Sequence, residues 1–439
     1  MARQKPLGRF RLSFELLENR ELMAADLGDS YRGTMLLGSV LAANNLAAWQ
    51  AVGTSLLPVG SSAVNTKLTG AAAGVGAKTT SLSSDWYASN LHDAALQSLV
   101  RQDALDNVLS RQDMLSIFSQ VEKDGTVTAN EFSDLRQVVA KTSLFATDNY
   151  VDVLATDVVN GNLANAHYQG STLGNLGSGS SASQLVKLVD KWFLGMDHPT
   201  TMSGVTYQQT TGSLFPHAPA YTDVRQGMLG DCYYLASLAE TALISPNLIS
   251  SMFINNGDGT YTVSINHSGK TDYVTVDSRL PVDRSGYFVY ANMGLNISNR
   301  NAPLWVALAE KAYVQFNESG WLRTDPSDIG RNSYAAISGG YMFQALNQIT
   351  GKTGGYSAVN KTTFTAAFTA GKYITFGSDD RPIDAGVVGD HAYAVVAYNT
   401  TTQQVTLFNP WGINNGYAPG LVTLSWTQMQ RDFFAMEYA

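Results

Sequence analysis

A single cysteine, Cys232, is the residue of this sequence best suited to nucleophilic chemistry. It follows the turn-forming pair Gly230-Asp231 and opens a stretch with helical apolar spacing, so we expect its thiol at a helix N-terminus. The positive end of a helix dipole stabilises a thiolate, which is the nucleophilic form of cysteine. Gln226 lies just upstream and can offer an amide N–H to an oxyanion beside that sulfur. A lone cysteine is more often an inert buried residue, so this interpretation depends on the rest of the chain.

Two later residues supply a base and an orienting group for such a cysteine. His391 begins a predicted strand in the stretch Gly-Asp-His-Ala-Tyr-Ala-Val-Val, and Asn409 follows the apolar run 405–408. A cysteine protease needs a base for the thiol proton and a third group that holds the imidazole in the right tautomer. Cys232, His391 and Asn409 fill these roles in chain order. Each also has a plain structural alternative: a buried cysteine, a strand-end histidine and a turn residue before proline.

The elements that must position these residues change along the chain. Apolar residues three and four apart predict helices over 34–56 and 84–158, and a short helix over 185–193. The stretch 57–83 is rich in Gly, Ala, Ser and Thr, and the Gly/Ser-rich stretch 170–183 predicts a flexible tether. Strand patterns dominate later, so the predicted fold class is α+β; they cover 261–265, 273–276, 373–376, 392–398 and 405–408.

Taken together, the motifs resemble the protease core of the calpain family. They are Gln-Gly-x-Leu-Gly-Asp-Cys at 226–232, Gly-Asp-His-Ala-Tyr at 389–393 and Asn-Pro-Trp-Gly at 409–412. Further similarity lies in the same order along the chain, and in all it covers about 183–439. These further segments are 276–281, 304–313, 337–340 and 432–434.

The resemblance implies a papain-like fold of two lobes, a helical lobe with Cys232 and a β-rich lobe with His391 and Asn409. In this family the cysteine is the nucleophile, the histidine the general base and then acid, and the asparagine the orienting group. Gln226 would be an oxyanion donor, and Trp411 would shield the His–Asn hydrogen bond from water. Tyr233 replaces the tryptophan that often follows the cysteine in the family.

The resemblance also implies a calcium site in the first lobe. Asp223 and Glu310 stand at the positions of its carboxylate ligands, and calcium prefers such hard oxygen donors. Alternatively, Asp223 is a turn acid and Glu310 pairs with a base such as Lys311. The loop 413–420 has no carboxylate, so a second calcium site there is not expected.

Another calcium candidate is the stretch 120–131, which fits a 12-residue EF-hand loop with Gly125 at the sixth place. Glu122, Asp124, Thr126 and Glu131 would be its ligands, but the first place holds a glutamine. The alternative is a helix-turn-helix joined by an Asp-Gly turn. EF-hands normally pair, and the sequence contains one such loop.

Composition limits the function classes. The formal net charge of −8 and the absence of a basic cluster beyond the N-terminus argue against a nucleic-acid partner. One cysteine excludes an intramolecular disulfide, and no apolar run reaches the roughly 18 residues of a membrane span. Low charge with many Gly, Ser, Thr and Asn suits a secreted or cell-surface protein, although the cytoplasm stays open. No organic cofactor is expected.

The N-terminal residues 1–28 carry glutamates where a signal peptide needs an apolar region. They resemble a short segment that opens many surface or exported proteins of planctomycete bacteria, which implies a bacterial protein with a targeting or processing tag. The remaining predicted domains are a helical region at 29–165, a linker at 166–183 and the protease at 184–439. Its lobes are expected at about 184–337 and 338–439.

The sequence thus predicts a cysteine endopeptidase that cleaves proteins or peptides through a thioester, with calcium as a possible cofactor. Two alternatives stay open. One is a catalytically silent surface or binding module on a protease fold. The other is a zymogen in which residues 29–165 are an inhibitory pro-region, released by self-cleavage in the linker near residue 180.

Overall fold

The computed structural model describes residues 85–146, 149–323 and 326–439 of the chain. The predicted N-terminal tag, the predicted helix 34–56 and the stretch 57–83 lie outside these described residues. Within them, helices fill the first part and helices and strands alternate later, so the fold class is α+β.

Six α-helices of the described chain precede residue 193. Two of them start at well-formed capping boxes, in which Ser110 and Thr128 exchange hydrogen bonds with Asp113 and Glu131. These reciprocal bonds satisfy backbone groups that a helix end leaves without partners. The helices are α1 (Trp86–Asn90), α2 (Ala94–Asp103), α3 (Arg111–Glu122), α4 (Ala129–Ala140), α5 (Tyr150–Val159) and α6 (Ala182–Trp192).

The predicted linker forms ordered contacts with this helical region. It contains a small hairpin, β1 (His167–Tyr168) with β2 (Ser171–Thr172). The Val127 N–H then donates to the Ser180 carbonyl, and the Gly179 N–H donates to the Val127 carbonyl, each at 2.8 Å. The structure therefore differs from a flexible tether, because the backbone groups of the Gly/Ser-rich stretch find partners in the turn between α3 and α4.

The next part of the chain, up to about residue 337, holds two long helices and two small sheets. All fourteen residues of the helix that begins at Trp305 are buried, and its charged residues Lys311 and Glu318 form ion pairs with Asp277 and Lys191. The helices are α7 (Cys232–Ile244), α8 (Pro246–Ser251) and α9 (Trp305–Glu318). β3 (Thr206–Gln209) pairs with β7 (Arg279–Val282), and β5 (Thr260–His267) lies between β4 (Phe253–Asn255) and β6 (Lys270–Asp277).

The C-terminal part is built on a six-stranded antiparallel sheet. Its order is β12–β11–β10–β9–β13–β8, so β10 lies inside the sheet with a partner on each side. The strands are β8 (Gly355–Ser357), β9 (Ile374–Ser378), β10 (Ala392–Asn399), β11 (Gln404–Phe408), β12 (Leu421–Ser425) and β13 (Phe433–Tyr438). The helices are α10 (Met342–Thr350), α11 (Lys361–Thr369) and α12 (Trp426–Asp432).

One continuous apolar core joins the helical region to the part of the chain that follows it. It runs from Leu91 through α7 and α9 to Ala392 and Ala394 on β10. Polar contacts cross the same boundary: Arg111 forms an ion pair with Asp258 at 2.8 Å, and the buried Lys191 amine lies 2.6 Å from Glu318. The helical region is therefore packed on the rest of the structure as one folded unit.

Candidate active site

Cys232 is the first residue of α7 and its side chain is fully buried. Asp231 precedes the helix with φ of −106°, and its carbonyl accepts the N–H groups of Tyr234 and Leu235. The thiol therefore lies at a helix N-terminus, as the sequence predicts.

The surroundings of Cys232 favour the protonated thiol unless a cation lies beside it. Burial raises the pKa of Cys232 to about 12, and the nearby Asp231 charge also raises it. The Ala392 backbone N–H hydrogen-bonds to the sulfur and, with the nearby N–H groups of Tyr233 and Cys232, lowers the pKa, but by less than burial raises it. The helix N-terminus acts in the expected direction, because the backbone N–H groups there lower the pKa. A thiolate in this setting needs a cation beside it.

The Ala392 hydrogen bond also locates the sulfur relative to a histidine. Ala392 begins β10 and directly follows His391, whose side chain is fully buried. The peptide of His391 is fixed by Ser378, because its N–H donates to the Ser378 hydroxyl at 3.0 Å and its carbonyl accepts the Ser378 N–H at 2.9 Å. α7 and β10 therefore bring Cys232 and His391 to the same buried place, although 158 residues separate them in sequence.

Asn409 orients the imidazole. Its Oδ1 lies 2.9 Å from His391 Nε2 and also accepts the Trp411 N–H at 2.9 Å. Since that backbone N–H is a donor only, the Asn409 atom facing both groups is the oxygen, and Nε2 must carry the imidazole proton. Nδ1 is then the nitrogen with a lone pair, which can accept a proton from a thiol.

Aromatic rings enclose this pair. The Trp411 ring centroid lies 5.2 Å from that of His391, and the Tyr393 ring meets the imidazole edge-on at 5.1 Å. Trp411 is itself buried. Excluding water lowers the local dielectric and strengthens the hydrogen bond between His391 and Asn409.

Gln226 is buried on the loop that leads to Cys232. Its backbone N–H donates to the Pro410 carbonyl at 2.8 Å, and its side-chain nitrogen donates to the Leu229 carbonyl at 2.7 Å. An amide nitrogen carries two N–H groups, so one is left for a substrate oxygen. The bond to Pro410 ties this loop to the Asn-Pro-Trp-Gly turn.

The two candidate calcium ligands of the first lobe are held by protein donors. Asp223 Oδ2 accepts the Trp305 indole N–H at 2.8 Å and the Ala220 N–H at 3.0 Å. Glu310 accepts the Ala291 N–H at 3.0 Å, and the Asp231 carboxyl lies close enough for the two charges to repel. Burial, with the Asp231 charge, raises the pKa of Glu310 well above its usual value.

No set of three His, Cys, Asp or Glu side chains is grouped to hold a metal in residues 85–146, 149–323 and 326–439. Asp223 and Glu310 accept hydrogen bonds from protein donors in this arrangement, and calcium binding by them stays a prediction. The loop 413–420 is organised by an amide, since Asn415 Oδ1 accepts the Tyr417 N–H at 2.8 Å and Nδ2 donates to the Gly412 carbonyl at 2.7 Å.

The EF-hand-like residues lie in the turn between α3 and α4. The Glu131 carboxylate accepts the Thr128 N–H at 2.8 Å in the capping box, and burial raises the pKa of Glu122. Gly125 has φ of +76°, the left-handed conformation that glycine adopts readily. Asp124 and Thr126 lie on either side of it, and Thr126 forms an isolated bridge with Ser181. The capping box accounts for Glu131 without a metal.

Sequence reasoning missed two polar residues near the cysteine. Arg323 donates to the Tyr233 hydroxyl at 2.9 Å, and Tyr233 in turn donates to the Ile337 carbonyl at 3.0 Å. Glu240, on the same helix as Cys232, binds backbone groups of the C-terminal sheet. Both contacts join residues far apart in sequence, so no local pattern indicates them.

Comparison with known proteins agrees with this site. Residues 206–421 match the family model described as "Calpain family cysteine protease". The matched segment contains the buried cysteine, histidine and asparagine described above, and it is a cysteine protease domain by this match. This part of the chain belongs to the calpain family.

Several curated proteins are similar over the same part of the chain. "Calpain clp-4" of Caenorhabditis elegans is 30% identical over 218 residues, which cover 43% of this chain and 27% of that protein. "Calpain-type cysteine protease ADL1" of Oryza sativa subsp. japonica is 25% identical, covering 52% of this chain and 10% of that protein. "Calpain-8" of Mus musculus is 26% identical, covering 44% and 28%. The chain thus spans less than a third of each of these relatives.

Every helix in the described part of the chain is too short or too polar to cross a lipid bilayer.

Proposed function

We propose that this chain is a cysteine endopeptidase in which Cys232, His391 and Asn409 act as nucleophile, base and orienting group. The observation that carries the proposal is the 2.9 Å hydrogen bond between His391 Nε2 and Asn409 Oδ1. It leaves the lone pair of Nδ1 for the thiol proton, on the residue adjacent to the Ala392 N–H that binds the sulfur. Family membership supplies protein as the substrate.

The reaction begins with proton transfer from the Cys232 thiol to His391 Nδ1. The resulting imidazolium stabilises the thiolate, which counteracts the burial that otherwise favours the thiol. The thiolate attacks the peptide carbonyl carbon, and the carbonyl π electrons move onto its oxygen. The Gln226 side-chain N–H and the Cys232 backbone N–H then donate to that oxyanion.

His391 returns the proton to the leaving amine as the C–N bond breaks, which leaves an acyl group on Cys232 as a thioester. A water molecule, deprotonated by the same imidazole, then attacks the thioester and releases the carboxylic acid product and the thiol. Asn409 keeps the imidazole in the required orientation throughout.

A zymogen with a releasable helical region has less support. Cleavage near residue 180 would leave α6 with the protease, and the buried Leu185 and Leu188 would still pack in the core that continues into α3 and α5. We therefore expect a cut chain to stay associated. A silent binding module has less support, because it gives no role to the hydrogen bond between His391 and Asn409.

A peptide epoxide that alkylates active cysteines tests the proposal. We expect mass spectrometry of the labelled, digested protein to find the adduct on Cys232, with labelling slowed strongly in His391→Ala. Iodoacetamide on the unfolded protein provides the control, because it modifies the same thiol without needing a base. Equal labelling of the wild type and His391→Ala by the epoxide would contradict the proposed pair.

A further inference from the structure

Glu240 is a buried acid on the helix of the nucleophile, and the proposed chemistry does not use it. It is 2% exposed and lies eight residues beyond Cys232 on α7. Its Oε1 accepts the N–H of Ile374, and its Oε2 accepts the N–H of Val395, each at 2.9 Å. A carboxyl group costs free energy to bury unless its oxygens are hydrogen-bonded, and here both are.

The two N–H groups belong to neighbouring strands at the point where their pairing stops. β9 and β10 pair through Ala392 with Gly377, Tyr393 with Phe376, and Ala394 with Thr375. The same register would next bring Val395 opposite Ile374, but both donate to the Glu240 carboxyl instead. The carboxyl group therefore completes the end of the β9–β10 ladder, where two buried donors would otherwise lack acceptors.

Another contact joins α7 and β10 at the cysteine, where the Ala392 N–H binds the Cys232 sulfur. Along α7 the two contact residues are about 12 Å apart at the helical rise, and along β10 they are about 10 Å apart at the strand rise. Because the spacings are similar, α7 and β10 can be joined at both points. Two points of contact fix the orientation of the helix relative to the strand as well as the distance between them.

We propose that Glu240 is a positioning residue. It fixes the helix of Cys232 on the strand that follows His391 and so keeps the thiol and the imidazole at the distance and angle that proton transfer needs. Glu240 touches neither reacting group and acts through β9 and β10. The inference deepens the proposed function and rests on it, because alignment matters only if Cys232 and His391 react together. A misplacement of about 1 Å in such a pair can cost about 10²-fold in rate.

Glu240→Gln is the variant of choice, measured in the full chain. It keeps the shape of the side chain but replaces one acceptor oxygen with an NH2 group that would face a backbone N–H. Glu437→Gln is the matched control. Glu437 is also a fully buried acid on the C-terminal sheet, and its Oε2 accepts the Phe343 N–H at 2.7 Å at the start of α10. It contacts neither α7 nor β10 through that bond.

Two measurements distinguish a residue that positions the reacting groups from one that only stabilises the fold. We expect Glu240→Gln to lower kcat on a peptide substrate by about 10²-fold with little change in KM. We also expect Cys232 of this variant to react slowly with iodoacetamide at neutral and lower pH, because the thiolate–imidazolium pair no longer forms. In the wild type, that pair should keep the alkylation fast in the same pH range. Glu437→Gln should keep the wild-type kcat and alkylation profile, even where both variants unfold at lower urea concentration.

Wild-type kcat and an unchanged alkylation profile in folded Glu240→Gln would overturn the inference, as would an equal loss in Glu437→Gln. If Glu240→Gln does not fold, Glu240→Asp takes its place, since the shorter acid keeps the charge but misplaces the oxygens. Wild-type protein without Cys232-dependent turnover would sink the proposed function instead. The alkylation profiles would then still decide the inference, because they need no substrate.

Discussion

The side-chain oxygen of Asn409 accepts two hydrogen bonds at once, from His391 Nε2 and from the Trp411 backbone N–H, each at 2.9 Å. The second bond holds the amide in the orientation that the first one needs. Asn409 is itself anchored by its N–H, which donates to the Gly420 carbonyl at 2.9 Å. The imidazole is thus oriented by a side chain that the backbone has already fixed.

Asn409→Ala should lower kcat by about 10²-fold, because the imidazole loses the acceptor that sets its tautomer and ring orientation. We expect KM to change less than kcat, since Asn409 is buried behind His391. Steady-state kinetics on a fluorogenic peptide measures both constants.

Asn399→Ala is the control for this substitution. Asn399 also accepts two backbone N–H groups, those of Thr401 and Thr402 at 3.0 Å, but it lies at the far end of β10. It should keep the wild-type kcat. A kcat for Asn409→Ala equal to that of Asn399→Ala would argue against the orienting role.

Tyr233→Phe should destabilise the protein by about 1–3 kcal/mol, because the buried Arg323 loses its hydroxyl acceptor and the Ile337 carbonyl loses a donor. Tyr234→Phe, on the next residue, removes a single bond to the Ala309 carbonyl at 3.3 Å and should cost less. Urea unfolding of both variants makes the comparison. A smaller loss for Tyr233→Phe than for Tyr234→Phe would show that Arg323 does not depend on the hydroxyl.

Glu318 makes stability depend on pH. Burial raises its pKa from 4.5 to about 7 in spite of the attraction of Lys191, so the folded protein holds this proton more tightly than the unfolded chain does. The stability that this proton confers is present at low pH and is lost as the pH rises from about 4.5 to about 7. Between about pH 5 and about pH 7.5, the free energy of unfolding should therefore fall less in Glu318→Gln than in the wild type. Urea unfolding at the two pH values measures it. An identical loss in both proteins would contradict the raised pKa.

Local patterns, together with the resemblance to a family, predicted the candidate residues of this site. Cys232 begins a helix because a turn-forming pair precedes an apolar helical repeat, and His391 and Asn409 lie at the ends of strands that alternate in the expected way. Such signals are contained within a few neighbouring residues. The positions of the reactive groups along the chain therefore followed from sequence.

What the sequence did not predict depends on contacts between distant residues. Glu240 and Val395 are 155 positions apart, and Arg323 is 90 positions from Tyr233. The thiol pKa follows from the depth at which Cys232 is buried, and depth is set by the whole fold. The Gly/Ser-rich stretch before α6 has the composition of a tether, but its backbone pairs with Val127 in the turn after α3.

The most direct test of the account is hydrolysis of unstructured casein by the wild type and by Cys232→Ala, each with millimolar calcium and with a chelator. We predict turnover by the wild type in both conditions, since the carboxyls of Asp223 and Glu310 are held by protein donors, and none by Cys232→Ala. Wild-type activity that requires calcium would show that these carboxyls leave their present partners. Casein cleavage that persists in Cys232→Ala would contradict the central claim that this thiol is the nucleophile.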